Sequence, residues 1–227
     1  MKIAVLTGAG MSADSGIQTF RDAGGLWEGN RVEDVATPEA WIQDPELVLQ
    51  FYNERRRGIR QAQPNRGHIA LAELNQLHDV HIITQNIDDL HERAGSKNIL
   101  HLHGEILKAR SEKNPLLIVD CPGDIRVGDV ASDGAQLRPH IVWFGELVPM
   151  MAPAIDIVAG ADVVVIIGTS MLVYPAASLF QYSKRNAPVI VINPEQPDMS
   201  RTARIQFITQ PAVTGVDYFI QEILPEL

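Results

Sequence analysis

One cysteine, Cys121, is all that 227 residues contain, which excludes an internal disulfide framework and any multi-cysteine metal site. Basic residues are also in deficit: 19 Lys and Arg stand against 28 Asp and Glu, a formal net charge of −9. Sequence-independent nucleic-acid binding needs a basic stripe to neutralise phosphates, so that class fits poorly. No apolar run approaches the roughly 20 residues that span a bilayer. The opening MKIAVLTGAG runs straight into a glycine-rich loop; no signal peptide is expected, and the expected location is cytoplasmic. Internal repeats and low-complexity tracts are absent. What is there, 45% hydrophobic and 21% charged residues, is globular composition, in a chain long enough for a large core and a small second lobe.

Short β-branched runs at Ile3 to Thr7, Val80 to Thr84, Asp162 to Gly168 and Val189 to Asn193 read as buried strands. Helical stretches are expected at Pro64 to Leu77, Ile87 to Ala94 and Tyr174 to Arg185, the last with Pro175 in its first turn. Near-continuous apolar strands separated by helices imply an α/β fold, a doubly wound parallel Rossmann-like sheet with ligands at the carboxyl ends of its strands. Two segments break the rhythm. Thr37-Pro38-Glu39 and Asp44-Pro45-Glu46 are helix starts, and a Gly-, Asp-, Ser- and Pro-rich stretch follows residue 107. The expected division is a Rossmann-like domain of residues 1–29, 66–107 and 140–227, with 30–65 and 108–139 forming a small inserted lobe that closes a cleft.

Thr7-Gly-Ala-Gly-Met-Ser-Ala-Asp-Ser-Gly16 follows the first strand. Gly8 and Gly10 permit a close backbone approach to a diphosphate, and a following helix would offer free N–H groups. The third glycine, Gly16, is displaced from G-x-G-x-x-G, so the dehydrogenase fingerprint is not met. The alternative is a glycine-rich turn without a ligand. Beyond it, Ile17-Gln-Thr-Phe-Arg-Asp22 and Gly24-Gly25-Leu-Trp27 read as an aromatic-bearing lid over a bound ligand.

GAGMSADSGIQTFRDAGGLW resembles the cofactor-binding signature of the sirtuins, NAD-dependent protein lysine deacylases. The resemblance continues through Thr84-Gln-Asn-Ile-Asp88, His101-Leu-His-Gly104, Arg138-Pro-His-Ile-Val-Trp-Phe-Gly-Glu146 and Gly168-Thr-Ser170, five motifs in family order. It implies NAD as co-substrate: the acyl-amide oxygen attacks C1′ of the nicotinamide ribose, nicotinamide leaves, and the acyl group ends on ADP-ribose. It also implies protein partners bearing acyl-lysine, and a monomer.

By that resemblance, Gly8, Ala9, Gly10, Ser12, Ala13, Ile17 and Trp27 belong to the cofactor loop. Phe20 shields the reacting ribose, and Arg21 holds a phosphate or an acyl intermediate. Gln85, Asn86, Ile87 and Asp88 grip the nicotinamide side, Asn86 and Asp88 with catalytic roles; an Asn/Asp helix cap after the strand is the plainer reading, and both can hold. Gly168, Thr169 and Ser170 meet the diphosphate, Asn193 the adenosine ribose, and Pro194, Glu195 and Ala212 complete the set. If Ile99 to His103 is a strand, Leu100 and Leu102 face one side and both histidines the other. Alternation alone leaves His101 and His103 open; the resemblance assigns the general base to His103, with Gly104 leaving space beside it. Val142, Trp143, Phe144, Gly145 and Glu146 resemble a clamp that pairs with the substrate backbone, although Ile-Val-Trp-Phe is equally a packing sequence.

On the helix beginning at Asp44, Val48, Phe51, Tyr52 and Ile59 form an apolar stripe with Arg55 near its middle, while Glu54, Arg56 and Arg57 point elsewhere. An inward arginine needs an anion. Tyr52 stands one turn earlier, and a hydroxyl with a guanidinium makes a carboxylate receptor. The same Tyr-x-x-Arg pair occurs in the sirtuin branch that removes acidic acyl groups, which implies succinyl- or malonyl-lysine beside acetyl-lysine. Pairing of Arg55 with an internal carboxylate, or snorkelling, is the alternative.

Most sirtuins bind a structural zinc through two Cys-x-x-Cys pairs. Between Gly104 and Arg138 this chain has only Cys121 and no histidine, and neither Ser111 nor Asp133 replaces a thiolate, so no zinc is expected. Leu116-Leu-Ile-Val119 is expected to compensate as an apolar cluster. An ADP-ribosyltransferase or NAD hydrolase on the same scaffold, and an inactive NAD-binding module, are the rival functions. A dehydrogenase is the weakest.

Overall fold

The computed structural model describes residues 1–18, 29–197 and 203–227, and the backbone of Leu26 and Trp27. Its elements in chain order are β1 (Lys2–Thr7), a two-residue antiparallel pair β2 (Leu26–Trp27) and β3 (Asn30–Arg31), then α1 (Val32–Val35), α2 (Pro38–Gln43), α3 (Pro45–Gln61) and α4 (Arg66–Leu74). β4 (Asp79–Thr84), α5 (Leu90–Ala94), β5 (Ile99–His101), β6 (Gly104–Ser111), β7 (Ile118–Asp120), β8 (Leu137–Ile141) and α6 (Met151–Gly160) follow. The chain ends with β9 (Val163–Ile167), β10 (Val189–Ile192), β11 (Ile205–Ile208) and α7 (Ala212–Tyr218), the last continuing into irregular helical turns.

Six strands form one parallel sheet in the order β11-β10-β9-β1-β4-β5. Strand direction of growth reverses at β1 and β9, and their carboxyl ends are therefore the topological switch point where such sheets bind ligands. Alternate residues feed two cores. Ile3, Val5, Val163, Val165, Ile190 and Ile192 pack with α4 and α7 on one face, whereas Ala4, Leu6, Val164, Ile166 and Val191 pack with α6 on the other. Two covered faces explain why these strands read as unbroken apolar runs.

Helix starts follow their local chemistry. Thr37 accepts a hydrogen bond from the Ala40 amide and Asp44 from the Leu47 amide, each ahead of a proline that needs no hydrogen-bond acceptor. Asn65 and His68 form a capping box that starts α4, so that helix begins at Arg66 and not at Pro64. The helix expected from Ile87 begins at Leu90, because Ile87 turns into the core shared by α1 to α3. Residues Tyr174 to Arg185 do not form an α-helix: a 3-10 stretch covers Ala176–Tyr182, with Pro175 before it and not in its first turn. The strand through the two histidines stops at His101, although Leu100 and Leu102 do face the sheet core.

The three-stranded antiparallel sheet β7-β6-β8 packs against α3. Leu116 to Val119 does not fill this region: Leu116 is 87% exposed, and Ile118 and Val119 lie on an edge strand open to solvent. Leu49, Ala109 and Ile125 are buried there instead, with Trp41, Cys121 and Leu137 against them. A polar tie joins the helix to the insertion. Asn53 donates to the Ile125 carbonyl (2.8 Å) and accepts from the Ile125 amide (2.9 Å), while Arg56 donates to the Ile106 carbonyl (2.8 Å) and to the Asn53 side chain (2.6 Å). Arg56, expected to point away, is fully buried. No group of three or more His, Cys, Asp or Glu side chains that could hold a metal occurs among the described residues. Cys121 is a poor start for a zinc site, since burial pushes its thiol upward and its sulfur donates to the Gly123 carbonyl. No helix among the described residues is long and apolar enough to cross a membrane.

Candidate active site

A cleft of about 780 Å³ opens at the carboxyl ends of β1, β4 and β9 and is roofed by α3 and the segment after β8. On its sheet side the β1 and β9 ends touch. The Gly8 amide donates to the Ile167 carbonyl (3.0 Å) and the Gly10 amide to the Gly168 carbonyl (2.8 Å). A Cβ on Gly10 would lie 2.8 Å from the Gly168 Cα, which is why glycine stands on both sides of this crossing. The loop does not open an α-helix as its sequence suggests. Two 3-10 turns, Ala9–Met11 and Ala13–Ser15, follow, and the Met11 and Ser12 amides donate to the Gly8 and Ala9 carbonyls. Those amides are therefore spent inside the chain.

The segment after β4 is tied to this loop. Asn86 donates through Nδ2 to the Gly8 carbonyl and to Ser12 Oγ, both at 3.1 Å, and its amide donates to Thr84 Oγ1 (3.0 Å). Ser12 Oγ donates to Asp88 (2.9 Å), whose second oxygen accepts from the Leu90 amide (3.1 Å). Burial raises the Asp88 pKa above the usual carboxylate value, against the pull of these hydrogen bonds. Asp88 thus both faces the cleft and satisfies the entry to α5. Gln85 donates to Thr169 Oγ1 (3.3 Å), bridging the β4 and β9 ends.

His103 lines the cleft, and its Nδ1 lies 3.1 Å from the Gln85 carbonyl. That contact assigns the proton to Nδ1 and leaves Nε2 with a lone pair. Burial lowers its pKa, which keeps the ring neutral at pH 7. The glycine beside it does not leave space. Gly104 has φ +85°, and a Cβ there would sit 2.0 Å from the His140 carbonyl oxygen, at the bulge where β6 leaves register with β8.

On the roof, Tyr52 is fully buried and Arg55 nearly so, and both line the cleft. The Arg55 guanidinium lies 5.7 Å from the Phe51 ring centre. Burial pushes the Tyr52 phenol well above its ordinary value, with Arg55 opposing. Val142 to Glu146 follow β8 as a turn and not as a strand edge. The Val142 amide donates to the His103 carbonyl, and the Trp143 amide to Glu146 (2.8 Å). Trp143 is a buried packing residue as well as a cleft wall. Glu146 is held by Arg138 at 2.8 Å.

Ala9, Ala13, Ile17, Ile87, Phe144, Gly145, Ser170, Asn193, Pro194 and Glu195 also line the cleft, and Asn193 donates to the Glu195 carbonyl. Ala212 does not: as the first residue of α7 it is buried in the sheet core, and Pro211 lines the cleft in its place. Phe20 and Arg21 lie outside the described residues, as does the Trp27 side chain. Sequence reasoning missed Ala36 and Val148, whose apolar side chains carry no motif, and read Ile59 and Tyr174 only as helix residues, not as cleft walls.

A family model described as the Sir2 family matches residues 8–175. A protein of Helicobacter pylori strain J99 named NAD-dependent protein deacylase is 50% identical over 225 residues, covering 99% of this chain and 94% of its own. One of the same name from Bacteroides thetaiotaomicron is 51% identical over 229 residues, covering 98% of each. Among solved structures, a Sir2 homologue–NAD complex aligns with a TM-score of 0.87 at 39% identity, over 99% of this chain and 90% of that one. A mutant Sir2 homologue with ADP-ribose aligns at 0.88 and 39% identity, over 96% and 90%.

Proposed function

This chain belongs to the Sir2 family, and from that premise we propose that it removes acetyl and acidic acyl groups from protein lysines, with NAD as co-substrate. The sheet side of the cleft takes the dinucleotide, with the diphosphate over the Gly8–Gly10 and Gly168–Ser170 crossing and the adenosine near Asn193. The acyl-lysine enters under the roof. Its acyl oxygen displaces nicotinamide from C1′ of the ribose, and the acyl group passes to ADP-ribose.

The observation that carries this reading is His103, whose Nδ1 faces the Gln85 carbonyl while its ring lines the cleft. A neutral imidazole with Nε2 unprotonated is the form that accepts a ribose hydroxyl proton. Both Nδ2 hydrogens of Asn86 are committed to Gly8 and Ser12, which leaves its Oδ1 as the acceptor for a ligand. Tyr52 and Arg55, paired across one turn under the roof, supply a hydroxyl and a cation for the carboxylate of a succinyl or malonyl group.

The test is an NAD-dependent assay on matched acetyl- and succinyl-lysine peptides, with products read by mass spectrometry. Acyl-ADP-ribose and free lysine are expected, both lost in His103→Asn. Arg55→Met is expected to cut desuccinylation at least tenfold more than deacetylation. Modified protein or free ADP-ribose without deacylated peptide would replace this reading with an ADP-ribosyltransferase or NAD hydrolase, and equal loss of both activities in Arg55→Met would remove the carboxylate receptor.

A further inference from the structure

The second histidine of His101-Leu-His103 holds the Gln85 carbonyl; the first holds the next one. His101 Nδ1 lies 3.2 Å from the Asn86 carbonyl, and its Nε2 lies 2.8 Å from a Glu92 carboxylate oxygen. Both partners are acceptors without a hydrogen to give. A neutral imidazole has a single N–H, so it would set a lone pair against one of them. Only the imidazolium satisfies both. We propose that His101 is kept as a cation between Glu92 and the Asn86 carbonyl, and that it is a positioning residue for the segment Gln85 to Asp88.

Its surroundings favour that charge. Glu92 of α5 and Glu105 of β6 attract it, and Asp88 of the loop lies within electrostatic reach. Lys108 of β6 is paired with Glu105 (2.8 Å), and His91 of α5 is kept neutral by burial. Burial of His101 opposes the charge, yet its pKa is raised, in contrast with that of His103 two residues on. One short segment thus grips two successive carbonyls with imidazoles in opposite protonation states. His103 must be neutral to take a proton. His101 must be charged to fill both its bonds.

Among the described residues, the carbonyl contact is the one polar contact of Asn86 made directly to a titrating side chain. Below the raised His101 pKa the loop is clamped, and as pH rises through that value one of the two contacts loses its donor. Activity should therefore climb with His103 deprotonation and fall again with His101 deprotonation.

The inference rests on the reading that Gln85 to Asp88 contacts the nicotinamide side, so its test includes a measurement that needs no turnover. In 15N NMR of the full chain at pH 7, both ring nitrogens of His101 are expected to carry protons, and the Asn86 and Asp88 amide signals to track its titration. In Glu92→Gln, the falling limb of the kcat/KM profile on an acetyl-lysine peptide should move to lower pH by about one unit while the rising limb stays. His101→Gln should lower activity and abolish the falling limb. A neutral His101 at pH 7, or superposable profiles for the wild type and Glu92→Gln, would overturn the proposal. If the chain proves not to be a deacylase, amide signals that follow the His101 titration still support the clamp, and signals that ignore it sink it.

Discussion

Trp143 donates its indole N–H to the phenolic oxygen of Tyr52 across 3.1 Å, so the hydroxyl hydrogen of Tyr52 is left to point away from Trp143. Tyr52 therefore enters the cleft as a donor, which is the role an acyl carboxylate requires. Trp143 is itself fixed, with the Arg138 guanidinium stacked 3.2 Å from a ring centre and Glu146 accepting from its amide. Trp143→Phe keeps the packing and removes the indole donor. Desuccinylation is expected to fall about five- to tenfold, the worth of one neutral hydrogen bond, mainly through KM, with deacetylation nearly unchanged. Steady-state kinetics on the two peptides check this.

The insertion that holds zinc in most sirtuins is joined to α3 here by Asn53 and Arg56. Asn53→Ala would leave the Ile125 amide and one Arg56 N–H without acceptors in a buried place. The expected loss is about 2–4 kcal/mol of unfolding free energy, measured by urea denaturation. Elemental analysis of the purified protein should find no stoichiometric zinc, and chelator treatment should leave the denaturation midpoint unmoved.

Strands β1, β4, β9 and β10 are legible because they are largely buried on both faces, and burial writes itself into sequence as β-branched runs. Arg56 was missed for an instructive reason. A single-stripe reading of α3 assumes one buried face, found at Val48, Tyr52, Arg55 and Ile59. The helix in fact has two, and Leu49, Asn53 and Arg56 recur at the same helical spacing on the second; that pattern was available. Leu116 to Val119 failed in the opposite sense, since hydrophobicity does not say whether any element covers an edge strand. The resemblance puts Ala212 in the cofactor set, but one residue of offset at the start of α7 separates the cleft wall Pro211 from the core position Ala212.

Gly104→Ala should be among the most damaging single-methyl changes in the chain. Residue 104 has φ +85°, and its new Cβ would overlap the His140 carbonyl. Relief requires β6 and β8 to separate at the bulge beside His103. A loss of several kcal/mol is expected, together with kcat falling more than the affinity for NAD, because His103, the proposed base, is displaced while the β1–β9 crossing is untouched. Thermal denaturation and isothermal titration with NAD separate the two effects.

Acid should weaken the fold at a buried histidine pair behind the sheet. His68 of α4 and His91 of α5 stack edge to face at 4.8 Å, and His91 Nε2 lies 3.2 Å from Thr7 Oγ1 at the end of β1. Burial lowers the His68 pKa to about 4 and holds His91 well below its ordinary value. In the unfolded chain both titrate near 6.5, so between about pH 6.5 and pH 4 the unfolded state binds more protons. The stability these rings contribute is complete above pH 6.5 and is lost as pH falls through that window. Unfolding free energy from urea titrations should drop steadily from pH 7 to pH 5, and His68→Gln should flatten the slope. Coincident slopes for the wild type and His68→Gln over that range would mean that His68 is not kept neutral by the fold.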